Sequence, residues 1–447
     1  MSRSGADAPP EPSAAAGGAM VRARPAPDEP LARLVFRERI STSLWFVPAL
    51  FVAGAFGLSK LTAAVDRGLG AREPAWLLVA SSDGAEALTS TVAAAMLAFL
   101  AIVFSTTVVA IQLAGGQYSP RVIRIFVRRR LTHITLGVFL ATFVFALNAL
   151  IEIRVDPGVQ APRVTVSLVY LLVLGTLATF ITFLHGMVRM LRVQYLLHQV
   201  TADGRAAMLR AFPEPSAYRE TAAPTASASV TVRTGVRTGV LQAVDRAALA
   251  RLAASRQVWV ELRVKVGEYI AQGTPLAEVH GPGAVSGDDV IARFLLGGER
   301  TLIQDPGFAI RQLVDVAIRA LSPAVNDPTT AVQATDHIVD LISTLAQRPD
   351  PTGWYLDQTG TVRLRCQEPG LADLMTLGFI EIIRYGADSP QVGRRLRAAF
   401  DVLDHLVRPD ARPAIQQLRG ILDATQADLL PAGFAEISSR PDRQGLG

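Results

Sequence analysis

The chain has 447 residues, 19% of them charged and 50% apolar, with a formal net charge of +5. Average soluble proteins carry roughly 25% charged residues, so this balance, with a mean hydropathy of +0.31, excludes both a wholly soluble enzyme and a disordered polymer. The single cysteine, Cys366, excludes an intrachain disulfide, and the positive charge is nearly all arginine, since Lys60 and Lys265 are the only lysines.

Residues 1–32 are rich in Ala, Pro, Ser and Gly and contain no apolar core, which reads as a disordered tail rather than a cleaved signal peptide. Four stretches free of Asp, Glu, Lys and Arg follow, at residues 40–59, 87–120, 131–151 and 164–188. A helix needs roughly 20 apolar residues to cross the hydrocarbon core, so residues 33–192 are expected to form a four-span transmembrane domain. Arg33, Arg37 and Arg39 precede the first span, Arg121, Arg124, Arg128, Arg129 and Arg130 join the second to the third, and Arg189 and Arg192 follow the fourth. The other two loops dilute their arginines with Asp66, Glu73, Asp83, Glu152 and Asp156. The asymmetry predicts a multi-pass protein of the bacterial inner membrane with both termini cytoplasmic. Trp45, beside the basic amino-terminal flank, is placed as an interfacial anchor. No charged group lies near a span centre, which disfavours proton-coupled carriers and ion pumps.

The second span carries a stripe. Thr91, Ala94, Ala98, Ala101, Ser105, Val108, Gln112 and Gly115 repeat at alternating spacings of three and four, with large residues such as Leu97, Phe99 and Ile102 off the stripe. Small residues let helices approach closely in lipid, so the stripe is read as a packing seam, within or between protomers. The sharper alternative is the lining of a pore in an oligomer, with Thr91, Ser105 and Gln112 offering polar groups.

Residues 193–229 read as a connecting helix and a Pro/Ala/Ser linker, 230–298 as a small β-module, 299–432 as a helical domain and 433–447 as a flexible tail. In the β-module, Val258, Val260, Leu262, Val264 and Val266 alternate with polar or aromatic residues, a strand with one buried face. The run from Val266 to Leu276 resembles half of a lipoyl- or biotinyl-type barrel. Such a carrier needs a lysine at a hairpin tip, whereas Lys265 falls inside the strand pattern, so a structural module is expected. Downstream, Leu313, Val316, Ala317 and Ala320 share one helix face, while Arg311, Asp315 and Arg319 step along another. Pro323 ends that helix near Leu321. Asp327 is then placed as an N-cap with Pro328 at the first helical position. Later helices are expected at residues 371–385, 390–407 and 412–429, with a hairpin at 354–365. The fold class is an α-helical integral membrane protein of four transmembrane helices with a cytoplasmic α+β domain, the small β-module preceding a helical bundle.

Arg300-Thr301, Asp305-Pro306, Gln312-Leu313, Asp315 and the continuous run from Arg319 through Ala331 resemble a bacterial predicted-membrane-protein family of unknown function (DUF2254). Gln117-Tyr118-Ser119-Pro120-Arg121 and Gly273-Thr274-Pro275-Leu276 are similar to its other marks. The resemblance implies the same four-span topology and cytoplasmic domain, and it lends no reaction, substrate or catalytic residue.

Phosphate-loop, zinc-protease and nucleophile-elbow motifs are missing from the sequence, so no catalytic residue and no cofactor is assigned and an enzyme is not expected. Asp336, His337 and Asp340 could place ligand atoms on one side of a helix, but a solvated face explains them as well, and no metal is assigned. Arg394, Arg395 and Arg397 are a short charged face rather than a nucleic-acid surface. The remaining candidate is a polar pocket of Arg311, Asp315, Arg319, Ser322, Asn326, Asp327 and Thr329, suited to a small anion or a carboxylate from a partner protein. The expected partners are the lipid bilayer and further copies of the chain. The favoured function is an oligomeric channel or transport-like protein with a cytoplasmic assembly or gating domain, and the alternative is a membrane-anchored sensing or scaffolding module without transport.

Overall fold

The computed structural model describes residues 20–27, 30, 45–69, 77, 81–117, 130–155, 162–225, 229–431, 433–434 and 439–442. The chain divides into two compact units, one of Phe36–Gln199 with Asp315–Gln333, the other of Met1–Val35, Val200–Val314 and Ala334–Gly447.

The first unit contains four helices long and apolar enough to cross a membrane, α1 (Phe46–Leu69), α2 (Ser82–Gln117), α3 (Arg130–Val155) and α4 (Arg163–Met190). Helix α3 is central and packs against the other three. Its Gly137 admits the ring of Phe51 so closely that a Cβ there would stand 2.8 Å from it. Phe139 of α3 meets Phe99 of α2 and Phe180 of α4, with ring centroids 6.0 and 6.2 Å away. The hydroxyls of Thr142 and Thr176 join α3 to α4 at 2.9 Å. Helix α1 continues past Ser59 through Lys60, Asp66 and Arg67, and Asp66 has a use there. Its carboxylate accepts the N–H groups of Val164 and Thr165 at 2.8 and 3.0 Å, capping α4, whose own cap residue Pro162 offers no side-chain acceptor. Glu86 of α2 and Arg154 of α3 pair nearby at 2.7 Å. Trp45, just before α1, is exposed. Tyr118 to Arg129, with most of the basic cluster between the second and third spans, lie outside the described residues.

The second unit is built on a sheet. Its strands are β1 (Met20–Pro25), β2 (Arg219–Ala222), β3 (Ser229–Arg233), β4 (Gly239–Val244), β5 (Trp259–Leu262), β6 (Tyr269–Ile270), β7 (Pro275–His280), β8 (Phe294–Gly297), β9 (Trp354–Leu356) and β10 (Val362–Arg365). Seven of them form one sheet in the order β2-β1-β9-β10-β5-β7-β3, and β6-β4-β8 form a second. The pairs β1–β9 and β10–β5 are parallel, and every other pair is antiparallel. The predicted alternation holds, with Val258, Val260, Leu262 and Val264 in the core beside Leu276 and Tyr355.

Three expectations change here. Met20–Pro25 is a strand paired on both sides, not part of a disordered tail, because Ala23 and Arg24 find buried places between β2 and β9. The sheet also reaches beyond residues 230–298 to take in β1, β2, β9 and β10. Lys265 lies beyond the end of β5, at an exposed turn whose Gly267 has φ +95°. The expected hairpin is β9–β10, where Asp357 accepts the N–H groups of Thr359 and Thr361 at 2.8 and 3.0 Å around Gly360.

The remaining helices are α5 (Val193–Ala211), α6 (Arg246–Ser255), α7 (Gly287–Ile291), α8 (Gly307–Ala320), α9 (Pro328–Leu345), α10 (Leu371–Gly386), α11 (Pro390–Leu406) and α12 (Arg412–Leu429), of which the start of α5, the end of α8 and the start of α9 belong to the first unit. Helix α5 follows α4 after a short bend. Its Gly204 lies against Ala309 of α8 and Leu341 of α9, where a Cβ would meet the Ala309 methyl at 2.4 Å. Leu313, Val316, Ala317 and Ala320 of α8 are buried as their periodicity predicts. The terminal segment is not wholly loose, since Asp442 pairs with Arg394 of α11 at 3.2 Å.

Candidate functional site

The α2 stripe lies on the outside of the helical unit. Thr91, Ala94, Ala98, Ala101, Ser105, Val108 and Gln112 are exposed, whereas Val92, Ala93, Met96, Val103 and Ala110 of the same helix are buried against its neighbours. The seam within the protomer therefore runs along the other face of α2. Thr91 donates its hydroxyl to the Ala87 carbonyl at 2.7 Å, satisfying it within the helix.

The run from Arg319 to Ala331 is a helix stop and a capped restart, as its residues predict. Helix α8 ends at Ala320, Ser322 donates its hydroxyl to the Arg319 carbonyl at 2.7 Å, and Asn326 takes φ +50°. The Asp327 N–H returns to the Ala320 carbonyl at 2.8 Å, closing the turn. The Asp327 carboxylate accepts the Thr330 N–H at 3.0 Å and its hydroxyl at 2.6 Å, and Pro328 opens α9. Thr329 is exposed, Arg319 is exposed and Asp315 is buried. Arg311 directs both arms of its guanidinium to Glu381 of α10. The turn and the last residues of α8 belong to the same compact unit as the four spans, and Arg311 belongs to the other.

The α+β unit holds a cavity of about 250 Å³ where the end of α5, the start of α6, the 265–268 turn and the start of α10 converge. Arg300 and Asp305, two of the residues that carry the family resemblance, line it together with Arg246, Lys265, Glu368 and Asp373. Arg300 bonds Asp305 at 2.8 Å and lies over the ring of Phe308. Burial pushes the Asp305 carboxyl above its ordinary range, against the pull of Arg300 and of the Phe308 and Gly307 N–H groups. Gly267 suits this turn because its φ of +95° is one that other residues rarely adopt, and a Cβ on it would also stand 2.4 Å from the Asp305 carboxylate.

Behind Arg246 lies a buried network. Glu368 pairs with Arg246 at 2.9 Å and with Arg24 of β1 at 3.2 Å, and the Tyr355 hydroxyl accepts from Arg24 at 2.6 Å while donating to Glu368. Burial drives the Tyr355 phenol well above its usual value, so it stays a neutral donor. Burial likewise opposes the charge on Arg246, but the Glu368 carboxylate paired with it prevails and keeps it cationic. The Cys366 thiol is pushed up to about 12, chiefly by burial, which leaves it protonated and unreactive. The cavity wall itself brings three cations, Arg246, Lys265 and Arg300, together with four carboxylates, Glu268, Asp305, Glu368 and Asp373, while Arg24 reaches Glu368 from behind it. None of Arg24, Arg246, Lys265 or Glu368 was assigned from the sequence; they come from four separate segments, and no local pattern connects them.

Asp336, His337 and Asp340 do not converge on one another as a ligand set. Asp336 pairs with Arg395, Asp340 pairs with Arg205, and the Thr201 hydroxyl lies 2.8 Å from Nδ1 of His337. Arg394 and Arg397 pair with Asp442 and Asp423. Among the described residues, the ligand-type side chains that converge are Glu261, Glu278 and His280 on β5 and β7.

No solved structure matches the chain. An uncharacterized protein of Mycobacterium bovis and one of Mycobacterium tuberculosis are each 30% identical to it over 422 residues, covering 91% of this chain and 80% of the relative. The model of the family described as "Predicted membrane protein (DUF2254)" matches residues 41–401, which include the four spans, the strands β2 to β10 and the cavity wall, and the chain belongs to that family.

Proposed function

We propose that the protein is an oligomeric, channel- or transport-like protein of the bacterial inner membrane, in which copies meet along the small-residue face of α2 and the α+β unit, on the cytoplasmic side, assembles or gates the oligomer. The observation that carries this reading is the outward exposure of Thr91, Ala94, Ala98, Ala101, Ser105 and Gln112. A small and partly polar face gains nothing from lipid tails, whereas against a second helix it permits close backbone approach. Around a central axis, the same face supplies hydroxyl and amide groups to a permeating solute. The cytoplasmic placement rests on the arginine asymmetry of the loops.

A second reading, a membrane-anchored sensing module without transport, is favoured by the charged cavity. There Arg246 and Lys265 would meet a small anion or a partner's carboxylate. The two readings separate in liposomes. With Ala101→Cys in a Cys366→Ser background, oxidation is expected to cross-link copies through α2, and the reconstituted protein is expected to release an entrapped ionic dye. Monomeric protein in tight liposomes would remove the channel reading and leave the sensing module.

A further inference from the structure

Strands β5 and β7 run antiparallel with Glu261 opposite Glu278 and Trp259 opposite His280. The strand period of two places all four side chains on one face of the sheet, where directly facing carboxylates repel. The Oε2 atoms of Glu261 and Glu278 lie 3.9 and 3.7 Å from Nε2 of His280. The His280 ring is buried and stacked on Trp259, with centroids 4.1 Å apart and planes inclined by 9°, which fixes the direction of Nε2.

We infer that Glu261, Glu278 and His280 bind a first-row divalent cation of the zinc type. Zinc bonds of roughly 2.0–2.2 Å in a tetrahedron set donor atoms about 3.3–3.6 Å apart. The nitrogen–oxygen gaps therefore need to close by only about half an ångström to reach that spacing. One imidazole and two carboxylates suit zinc and its neighbours, whereas magnesium and calcium take oxygen donors. Three protein ligands leave the fourth position to water.

Arg263 is the competitor. Its Nη2 lies 2.7 Å from Oε2 of Glu278 and 3.4 Å from Oε2 of Glu261, the same two atoms that face His280. It follows the last residue of β5 and is partly exposed, so its side chain can turn to solvent as an ion enters. Arg365 holds the other oxygen of Glu261 at 3.0 Å and leaves the ligand atom alone. Binding is thus an exchange of one cation for another, with the sheet supplying a rigid frame.

The test titrates zinc chloride into the purified, chelator-stripped full chain and follows heat and melting temperature. Wild type is expected to take one tight equivalent and melt higher with zinc. His280→Ala and Glu278→Gln are expected to weaken that equivalent at least tenfold and to lose the thermal shift, while Arg263→Ala tightens binding by removing the competitor. Glu278→Gln preserves shape and so reads the site even if His280→Ala folds poorly. Absence of zinc binding by the wild type overturns the inference, and so does binding that Glu278→Gln leaves unchanged.

Discussion

Asp327 satisfies the first turn of α9 through one N–H and one hydroxyl, both of Thr330. Serine can make the same backbone contact. Asp327→Ser is therefore expected to be nearly silent in denaturant unfolding, and Asp327→Ala to cost about 1 kcal/mol, the usual loss of an N-cap. A Ser variant as damaging as the Ala variant would mean that the carboxylate serves something beyond the helix start. This cap was legible because an N-cap, a proline at the first helical position and a residue before proline act within four or five residues of one another. Arg246 was not legible. It follows the N-cap Asp245 in an ordinary helix start, and its role depends on Glu368 and Tyr355, which arrive from another part of the chain.

Periodicity identifies the faces of an element and leaves open which of them meets a neighbour. The small stripe of α2 was visible in its spacing, yet the same spacing fits a seam inside the protomer or outside it. The bulky partners of the inner face decided the matter, because α3 offers Phe139 to Phe99 and Ala93, Met96 and Val103 join the core cluster that the four helices share. Ala98→Leu and Ala101→Leu are accordingly expected to leave the melting of dissociated protomers unchanged while lowering the mass of the assembled protein on sizing. Ala93→Leu, on the buried face, should instead destabilise the protomer itself by about 1–3 kcal/mol through overpacking. Equal destabilisation by all three in dissociating detergent would return the stripe to the interior.

Across the whole chain, the four apolar helices were legible because lipid demands length and composition and little else. The sheet was legible only in part: β5 and the β9–β10 hairpin show alternation or turn residues, whereas β1 is a short Met-Val-Arg-Ala-Arg-Pro segment in a composition typical of tails. Its pairing carries a topological demand. β1 precedes the four helices and β2 and β9 follow them, so an even number of crossings must separate the paired strands. The loop arginines then choose the side. A cysteine placed at Asp83 is expected to react with an impermeant maleimide in spheroplasts, and one at Arg192 only after lysis. Native Cys366, buried and with its thiol near 12, should stay silent in both. The reverse pattern would invert the orientation.

The place of β1 also sets an order of events during synthesis. It is made before the four helices and lies between β2 and β9, and its Arg24 bonds a tyrosine 331 residues further along the chain. The helices destined for lipid are all made before either neighbouring strand exists, so insertion precedes closure of the sheet. Until β9 emerges, the nascent chain carries an unclosed sheet and an arginine still in water, an interval in which strand edges are open to wrong partners. Completion of the sheet therefore waits for a strand made long after the four helices, and β1 serves as the latch of a late folding step.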